Sequence, residues 1–155
     1  MLPIAYRMTD FEASGETPNW FWRILCQLAY WSIFRELKDK IGLLKTKHPL
    51  HGGGVMSPDV FRYFRAIGVN LKSGYGGTEY PFVTLPIDKV EWGVAGVPVF
   101  ATEVRISNEG EVLFRGPYLF SGYYKDPERT KESLRGGWYH SQDFASIKED
   151  GGLVP

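Results

Sequence analysis

Hydrophobic positions along the chain fall into three regimes. The densest apolar run, Trp20 to Phe34, is hydrophobic nearly all round in its first half and amphipathic afterwards. Tyr30, Phe34, Leu37 and Ile41 share one stripe, while Arg35, Glu36, Lys38, Asp39 and Lys40 lie off it, which predicts a long helix with one wet face. Thr17 and Pro18 suit its N-cap and first position, and Gly42 suits a left-handed stop. A second helix is predicted from Ser57 as N-cap and Pro58 at the first position, with Val60, Phe61, Phe64 and Ile67 on one face and Gly68 as the stop. Val69 to Lys72 then reads as a short strand.

From Val97 the period drops to two, through Val99, Ala101, Val104 and Ile106. Ser107-Asn108-Glu109-Gly110 supplies a hairpin turn before Val112, Leu113 and Phe114. Asp126-Pro127 opens another short helix, and Trp138 leads into a strand running through Phe144 and Ile147. Glu149 to Gly152 is a turn, and Leu153-Val154 starts a further strand. The pattern predicts an α/β to α+β chain: a helical lead-in over 1–51, an α/β segment over 52–96 and a β-rich segment over 97–155.

Composition narrows the class. Of 155 residues, 43% are hydrophobic and 15% aromatic, enough for a packed core and too apolar for a disordered chain. Lys plus Arg number 18 and Asp plus Glu 18, so the formal net charge is zero and the basic excess expected of a nucleic-acid binder is missing. The single Cys26 offers no internal disulfide and makes a reducing compartment the default. Arg23 and Gln27 interrupt the Trp20 to Phe34 run, which falls short of the roughly 20 apolar residues needed to span a bilayer. Its aromatic first half still needs cover from a partner segment, another chain or a membrane surface.

Candidate chemistry concentrates in Gly74-Tyr75-Gly76-Gly77-Thr78-Glu79. Glycines let a backbone approach a phosphate or a flat ring, a tyrosine offers a stacking face, a threonine hydroxyl can donate to an oxyanion, and a glutamate can hold Mg²⁺ beside phosphate. From spacing alone, a glycine-rich βα turn without a ligand is equally open. Asp143, after a strand, could accept both hydroxyls of a ribose, although taken alone it is more simply a solvated carboxylate. His48 and His51 stand three apart, but no third ligand accompanies them and Gly52-Gly53-Gly54 argues for a loop rather than a metal site. Cys26, on an apolar helix, reads as a small buried hydrophobe.

In order along the chain, Gly52-Gly53-Gly54-Val55-Met56-Ser57-Pro58, Gly74-Tyr75-Gly76-Gly77-Thr78-Glu79, Gly110-Glu111-Val112-Leu113-Phe114-Arg115-Gly116-Pro117, Ser121-Gly122-Tyr123-Tyr124-Lys125-Asp126-Pro127-Glu128 and Gly137-Trp138-Tyr139-His140-Ser141-Gln142-Asp143 resemble the motifs of the adenylate-forming (AMP-binding) enzymes. Within that family the chain most resembles the long-chain acyl-CoA synthetases, or fatty acid:CoA ligases, because of its Trp20 to Lys47 lead-in and the Gly68 to Lys72 approach. Two departures stand out. Gln142 replaces the glycine of the family's Thr-Gly-Asp or Ser-Gly-Asp, and Val55 stands where many relatives have proline.

The resemblance implies ATP-dependent activation of a fatty acid through an acyl-adenylate, with transfer to coenzyme A. It places Gly53 and Gly54 along the adenine with Tyr75 stacked on it, Thr78 on the α-phosphate, Glu79 on Mg²⁺ and Asp143 on the ribose hydroxyls. Gly76 and Gly77 would leave room for the acyl chain. Thr78 and Glu79 are thus the implied catalytic pair, and ATP or AMP, Mg²⁺ and coenzyme A the implied ligands. Members of the family are several-fold longer, so an internal slice of the large N-terminal domain is expected, inactive alone, with a second chain as a conceivable source of the remaining phosphate loop and C-terminal domain. A non-catalytic nucleotide-binding or interaction module is the alternative. The expected location is cytoplasmic, with peripheral contact at a membrane as the option left by the aromatic run.

Overall fold

The structure, a computed structural model, describes residues 1–86 and 91–155, without the side chains at 12 and 13. Residues 87–90 of the 52–96 segment therefore lie outside the described residues. The chain divides into two compact units, one of Met1–Leu50 with Met56–Leu71 and one of His51–Val55 with Lys72–Pro155.

The first unit is helical. Helix α1 (Leu2–Ser14) packs on α2 and α4 and buries Ala5 completely. Helix α2 (Trp20–Ala29) is capped by Asn19, whose side-chain oxygen accepts from the Trp22 N–H at 3.2 Å. The expected cap at Thr17 is thus displaced by two residues, since Asn19 reaches the third amide of the helix with a geometry that leaves Pro18 outside it. A π-helical turn, Tyr30–Phe34, joins α2 to α3 (Arg35–Lys40). The wider turn brings Ala29 and Phe34, five residues apart, to the same buried side, where an α-helix would set them about 140° apart.

Lys38 corrects the expected wet face of this helix. It is only 8% exposed, and its Nζ donates to the Gly68 carbonyl at 2.9 Å beneath the Tyr30 ring. That bond covers the end of α4 (Pro58–Ala66), where Gly68 takes φ +77° and the Val69 N–H closes on the Phe64 carbonyl at 2.8 Å. Ser57 occupies the N-cap position of α4 without a side-chain capping bond. Ala29, Phe34, Ile67, Val69 and Leu71 form the core of this unit with Ala5. In contrast Trp20 is 73% exposed and Trp31 67%, with Ile24 and Leu28 between them also in the open. Among the described residues no helix is long and apolar enough to cross a membrane.

The second unit is β-rich. Strands β1 (Leu50–His51) and β2 (Lys72–Ser73) pair in a short ladder. Pairing thus begins at the end of the expected Val69 to Lys72 strand, because Val69 and Leu71 are taken by the helical core and the Leu71 N–H bonds the Val69 carbonyl. Strands β3 (Thr84–Leu85) and β4 (Val97–Pro98) pair antiparallel. Ala101, at φ +60°, breaks the period-two run that began at Val97, so β5 (Glu103–Ile106) is a separate strand.

The expected hairpin joins β5 to β6 (Glu111–Arg115). Its turn is held by the Ser107 Oγ, which accepts from the Glu109 and Glu111 amides, and by Gly110 at φ +92°. Helix α5 (Pro127–Ser133) is capped by Asp126 and runs into β7 (Leu134–Arg135) and β8 (Trp138–Phe144). The resulting antiparallel sheet has the order β5-β6-β8-β7, and β9 (Ser146–Ile147) with β10 (Leu153–Val154) forms a final hairpin. A helical N-terminal region followed by a β-rich one is the α/β to α+β arrangement that the hydrophobic pattern predicts.

Tyr80, Val83, Val112 and Leu153 are the innermost side chains of this unit. Leu153→Ala should leave a cavity there and cost about 2–5 kcal/mol of stability. Urea unfolding followed by tryptophan fluorescence measures it, and a loss below about 1 kcal/mol would show that the β10 end is not part of the cooperative core.

Candidate functional site

Strand β8 carries the feature that builds the site. Leu113 pairs with His140 and Glu111 with Phe144, so β8 advances four residues while β6 advances two. The surplus is a bulge formed by Ser141, Gln142 and Asp143, a device that re-aims a side chain out of the ladder. Gln142 sits at φ +63°, in the left-handed region that glycine enters without steric cost, and its N–H donates to the Glu111 carboxylate at 2.9 Å. Ser141 Oγ donates to the Val112 carbonyl at 2.8 Å and accepts the Asp143 N–H at 3.1 Å. The replacement of the family's glycine at 142 is therefore accommodated by a left-handed glutamine that is anchored by its own amide.

Glu111 is the anchor. Its second oxygen meets His140 Nδ1 at 3.0 Å, and Arg135 lies against the same ring nitrogen. Burial works to raise the Glu111 pKa, but the Gln142 N–H and the neighbouring His140 and Arg135 outweigh it and hold the carboxyl below its ordinary value. The bulge is thus tied to an ionised carboxylate across the physiological range.

With the bulge in place, Asp143 meets Tyr75. The Tyr75 hydroxyl donates to Asp143 Oδ2 at 2.6 Å, joining two of the sequence-derived candidates. The Tyr75 ring stands edge-on to Phe114, with centroids 6.4 Å apart. Gly74 and Gly76 in this loop have packing reasons of their own, since a Cβ on Gly74 would come within 2.7 Å of Leu85 Cδ2 and one on Gly76 would run into the Pro81 carbonyl. Gly77 bonds the Tyr80 carbonyl through its N–H at 2.9 Å and carries Thr78, whose side chain is exposed.

Glu79 lies at the next turn of the same loop. Its Oε1 accepts the Tyr123 hydroxyl at 2.8 Å, while Oε2 has no hydrogen-bond partner among the described residues. A cleft of about 600 Å³ opens here, lined by Glu79, Tyr123, Tyr139, His140, Asp126 and Glu132 among others. Beneath it runs an aromatic stack in which Phe114 meets Tyr139 at 4.9 Å and Phe120 meets Tyr123 at 4.8 Å.

The Gly52 to Gly54 loop adjoins Gly74, where the Gly74 N–H bonds the His51 carbonyl at 2.9 Å. Gly53 takes φ +84° with open space where a Cβ would point, and Gly54 is equally open. His51 Nε2 meets the Gly54 carbonyl at 2.9 Å, which gives that histidine a loop-holding role. Among the described residues no group of three or more His, Cys, Asp or Glu side chains could hold a metal ion.

Tyr75 with Asp143 and Glu79 with Tyr123 thus sit on one connected series of aromatic rings, but of the sequence-derived candidates only Glu79 lines the cleft, and Thr78 stands exposed beside it. Tyr123, Tyr139, Glu111 and His140 were not singled out by sequence as site residues. For Tyr123 only the glycine before it signals a close approach: a Cβ on Gly122 would lie 2.8 Å from Thr130 Cγ2.

Known proteins share extended similarity with the chain. A family model described as AMP-binding enzyme matches residues 17–124. The chain is 34% identical over 149 residues to the peroxisomal long chain acyl-CoA synthetase 7 of Arabidopsis thaliana, covering 84% of this chain and 20% of that protein. It is 35% identical over 116 residues to a feruloyl-CoA synthase of an Amycolatopsis species, covering 66% of this chain and 24% of the relative. Among solved structures, the amide bond synthetase McbA from Marinactinospora thermotolerans matches with a TM-score of 0.64 at 30% identity, over 72% of this chain and 26% of that one. The chain spans about a fifth of the length of the first curated relatives it matches.

Burial, and then the bond to Asp143, push the Tyr75 hydroxyl well above the ordinary tyrosine pKa. Burial, and then the neighbouring Tyr123, do the same for Tyr139. Both phenols stay protonated in the folded state at a pH where they would ionise in the unfolded chain. Their stabilisation is complete below about pH 10 and is lost as pH rises above it, because the unfolded state then binds fewer protons. The melting temperature should fall with rising pH in that alkaline range, and Tyr75→Phe should flatten the fall. A melting temperature independent of pH between 10 and 11.5, or an unaltered slope in the variant, would contradict the placement of Tyr75.

Proposed function

The chain belongs to the AMP-binding enzyme family, and from that premise we propose that it contributes the adenine-, ribose- and Mg²⁺-binding part of a long-chain fatty acid:CoA ligase. The observation that carries the proposal is the 2.6 Å bond between Tyr75 and Asp143, 68 residues apart in sequence, with Glu79 on the same aromatic platform. Unrelated glycine turns have no reason to aim these side chains at one region. Similarity to the long chain acyl-CoA synthetase of Arabidopsis supports a fatty acid as substrate. The feruloyl-CoA synthase and the amide bond synthetase point to a shared acid-activating step with varied acids.

In the proposed reaction a carboxylate oxygen of the acid bonds to the α-phosphorus of ATP while the bond to the bridging oxygen of pyrophosphate breaks. Coenzyme A sulfur then bonds to the acyl carbon, and AMP departs with the electron pair of the carbon–oxygen bond. Attack by an anion on an anionic phosphate makes alignment and charge neutralisation the main tasks. Tyr75 covers the adenine with Gly53 and Gly54 along its face, and Asp143 accepts the ribose hydroxyls. Thr78, exposed beside Gly77, donates to an α-phosphate oxygen.

Glu79 fits Mg²⁺ through its unpartnered Oε2, and the lack of a three-ligand cluster among the described residues suits an ion carried in by the nucleotide rather than a caged one. When bound, the ion supplies charge neutralisation at the phosphates.

Calorimetry with AMP tests the assignment. Asp143→Ala should weaken AMP by about tenfold or more, because the ribose hydroxyls lose a charged acceptor. The chain alone should form no palmitoyl-CoA from palmitate, ATP and coenzyme A. Unchanged AMP affinity in Asp143→Ala would overturn the ribose assignment, and robust product from the purified chain would overturn its role as part of a larger enzyme.

A further inference from the structure

The exposed Trp20, Ile24, Leu28 and Trp31 face of α2 is apolar, but nothing in the structure identifies what covers it. The Arg105 and Arg115 guanidinium groups flank the Trp138 ring at 4.3 and 4.6 Å, but Arg115 is already paired with Glu103. The contacts around Glu79 carry further.

We propose that Tyr123 is a positioning residue for Glu79, fixing one carboxylate oxygen so that the other is presented to the nucleotide-borne cation. The proposal rests on Glu79 acting as the cation ligand. Tyr123 donates its hydroxyl to Glu79 Oε1 at 2.8 Å, which leaves Oε2 without a hydrogen-bond partner among the described residues. A glutamate side chain has three rotatable bonds, and a carboxylate without such a tether would spread over several rotamers and bind a cation at an entropic cost.

Tyr123 is itself held at three points. Its backbone N–H donates to Thr130 Oγ1 at 2.9 Å, and that hydroxyl donates onward to the Asp126 carbonyl at 2.7 Å. The Arg129 guanidinium lies over the Tyr123 ring at 4.3 Å, and Phe120 closes its edge at 4.8 Å.

This network also gives α5 a purpose. The seven-residue helix carries Arg129 and Thr130 on consecutive positions, and its cap residue Asp126 receives the Thr130 bond. Gly122 is needed for the approach, since a Cβ there would collide with the Thr130 side chain. Outer partners that orient a ligating carboxylate commonly contribute about 10–100-fold to metal affinity.

The test uses the full chain with AMP saturating and Mn²⁺ as the probe, the free ion being followed by electron paramagnetic resonance. Glu79→Gln should abolish the site, and Tyr123→Phe should weaken Mn²⁺ about tenfold. AMP affinity measured in chelator should stay the same in Tyr123→Phe, a split that mere loss of packing would not produce. In the Glu79→Gln background, Tyr123→Phe should add no further loss.

Mn²⁺ affinity unaffected by Glu79→Gln, or absent from the wild-type chain, would overturn the cation assignment itself and the proposal with it. Mn²⁺ weakened by Glu79→Gln but unaffected by Tyr123→Phe would overturn the positioning role alone. Should Tyr123→Phe fail to melt as a folded protein, Thr130→Val and Thr130→Ser decide. Loss of Mn²⁺ affinity in the first with recovery in the second supports the clamp, and equal affinity in both refutes it.

Discussion

An ionised carboxylate at Glu111 holds the backbone of β8 in a conformation that the ladder alone would not choose. A left-handed residue other than glycine costs roughly 1–2 kcal/mol, and Gln142 adopts that conformation at φ +63°. The compensating bond from its N–H to the Glu111 carboxylate is charge-assisted, and such bonds contribute about 1.5–3 kcal/mol. The two effects are of similar size, so the bond to Glu111 offsets the strain at Gln142. Everything that Asp143 does follows from this, because a regular ladder at 141–143 would pair its backbone with β6 instead of turning its side chain to Tyr75.

The aromatic platform does the rest of the placing. Tyr80, Phe114, Tyr139, Phe120 and Tyr123 form a continuous chain of edge-to-face and tilted contacts. Their rings supply burial, while the hydroxyls emerge at defined points: Tyr80 on Thr102 at 2.6 Å, Tyr123 on Glu79 and, beside them, Tyr75 on Asp143. A tyrosine-rich core can be apolar inside and still fix polar groups at its rim without long, flexible side chains. The same economy explains why Gly74 and Gly76 lack side chains, since the loop runs against Leu85 and Pro81 on its way round the platform.

Local signals in the sequence were sufficient for the hairpin at Asn108 to Gly110, the stop of α4 at Gly68 and the short helix after Asp126, because each is decided by turn or cap chemistry within a few residues. The motif loops marked Tyr75, Thr78, Glu79 and Asp143 as candidates, and their proximity needed the fold. What escaped is non-local. Lys38 reads as a surface charge until Gly68 offers it a carbonyl 30 residues away. The strand predicted at Val69 was displaced because its side chains are claimed by the helical core. Tyr123 and Glu111 look like ordinary edge residues, since their partners lie 44 and 31 residues along the chain. The π-helical turn leaves no compositional mark at all, and is visible only once Ala29 and Phe34 are known to be buried together.

The charge pattern of the second unit constrains how an anionic nucleotide can be received. Glu79, Asp126, Glu128 and Glu132 all border the same cleft, with Arg129 as the basic residue among them, its guanidinium stacked on Tyr123. Bare phosphates would meet repulsion there, and at a few ångströms in a partly desolvated cleft that repulsion amounts to several kcal/mol. Asp143 escapes the difficulty because the groups proposed for it are neutral ribose hydroxyls, to which a carboxylate is a strong acceptor. Glu79 escapes it only if a cation accompanies the phosphate. On the proposed reading, the division of labour between the two carboxylates rests on their separate tethers, the Tyr75 hydroxyl for Asp143 and the Tyr123 hydroxyl for Glu79.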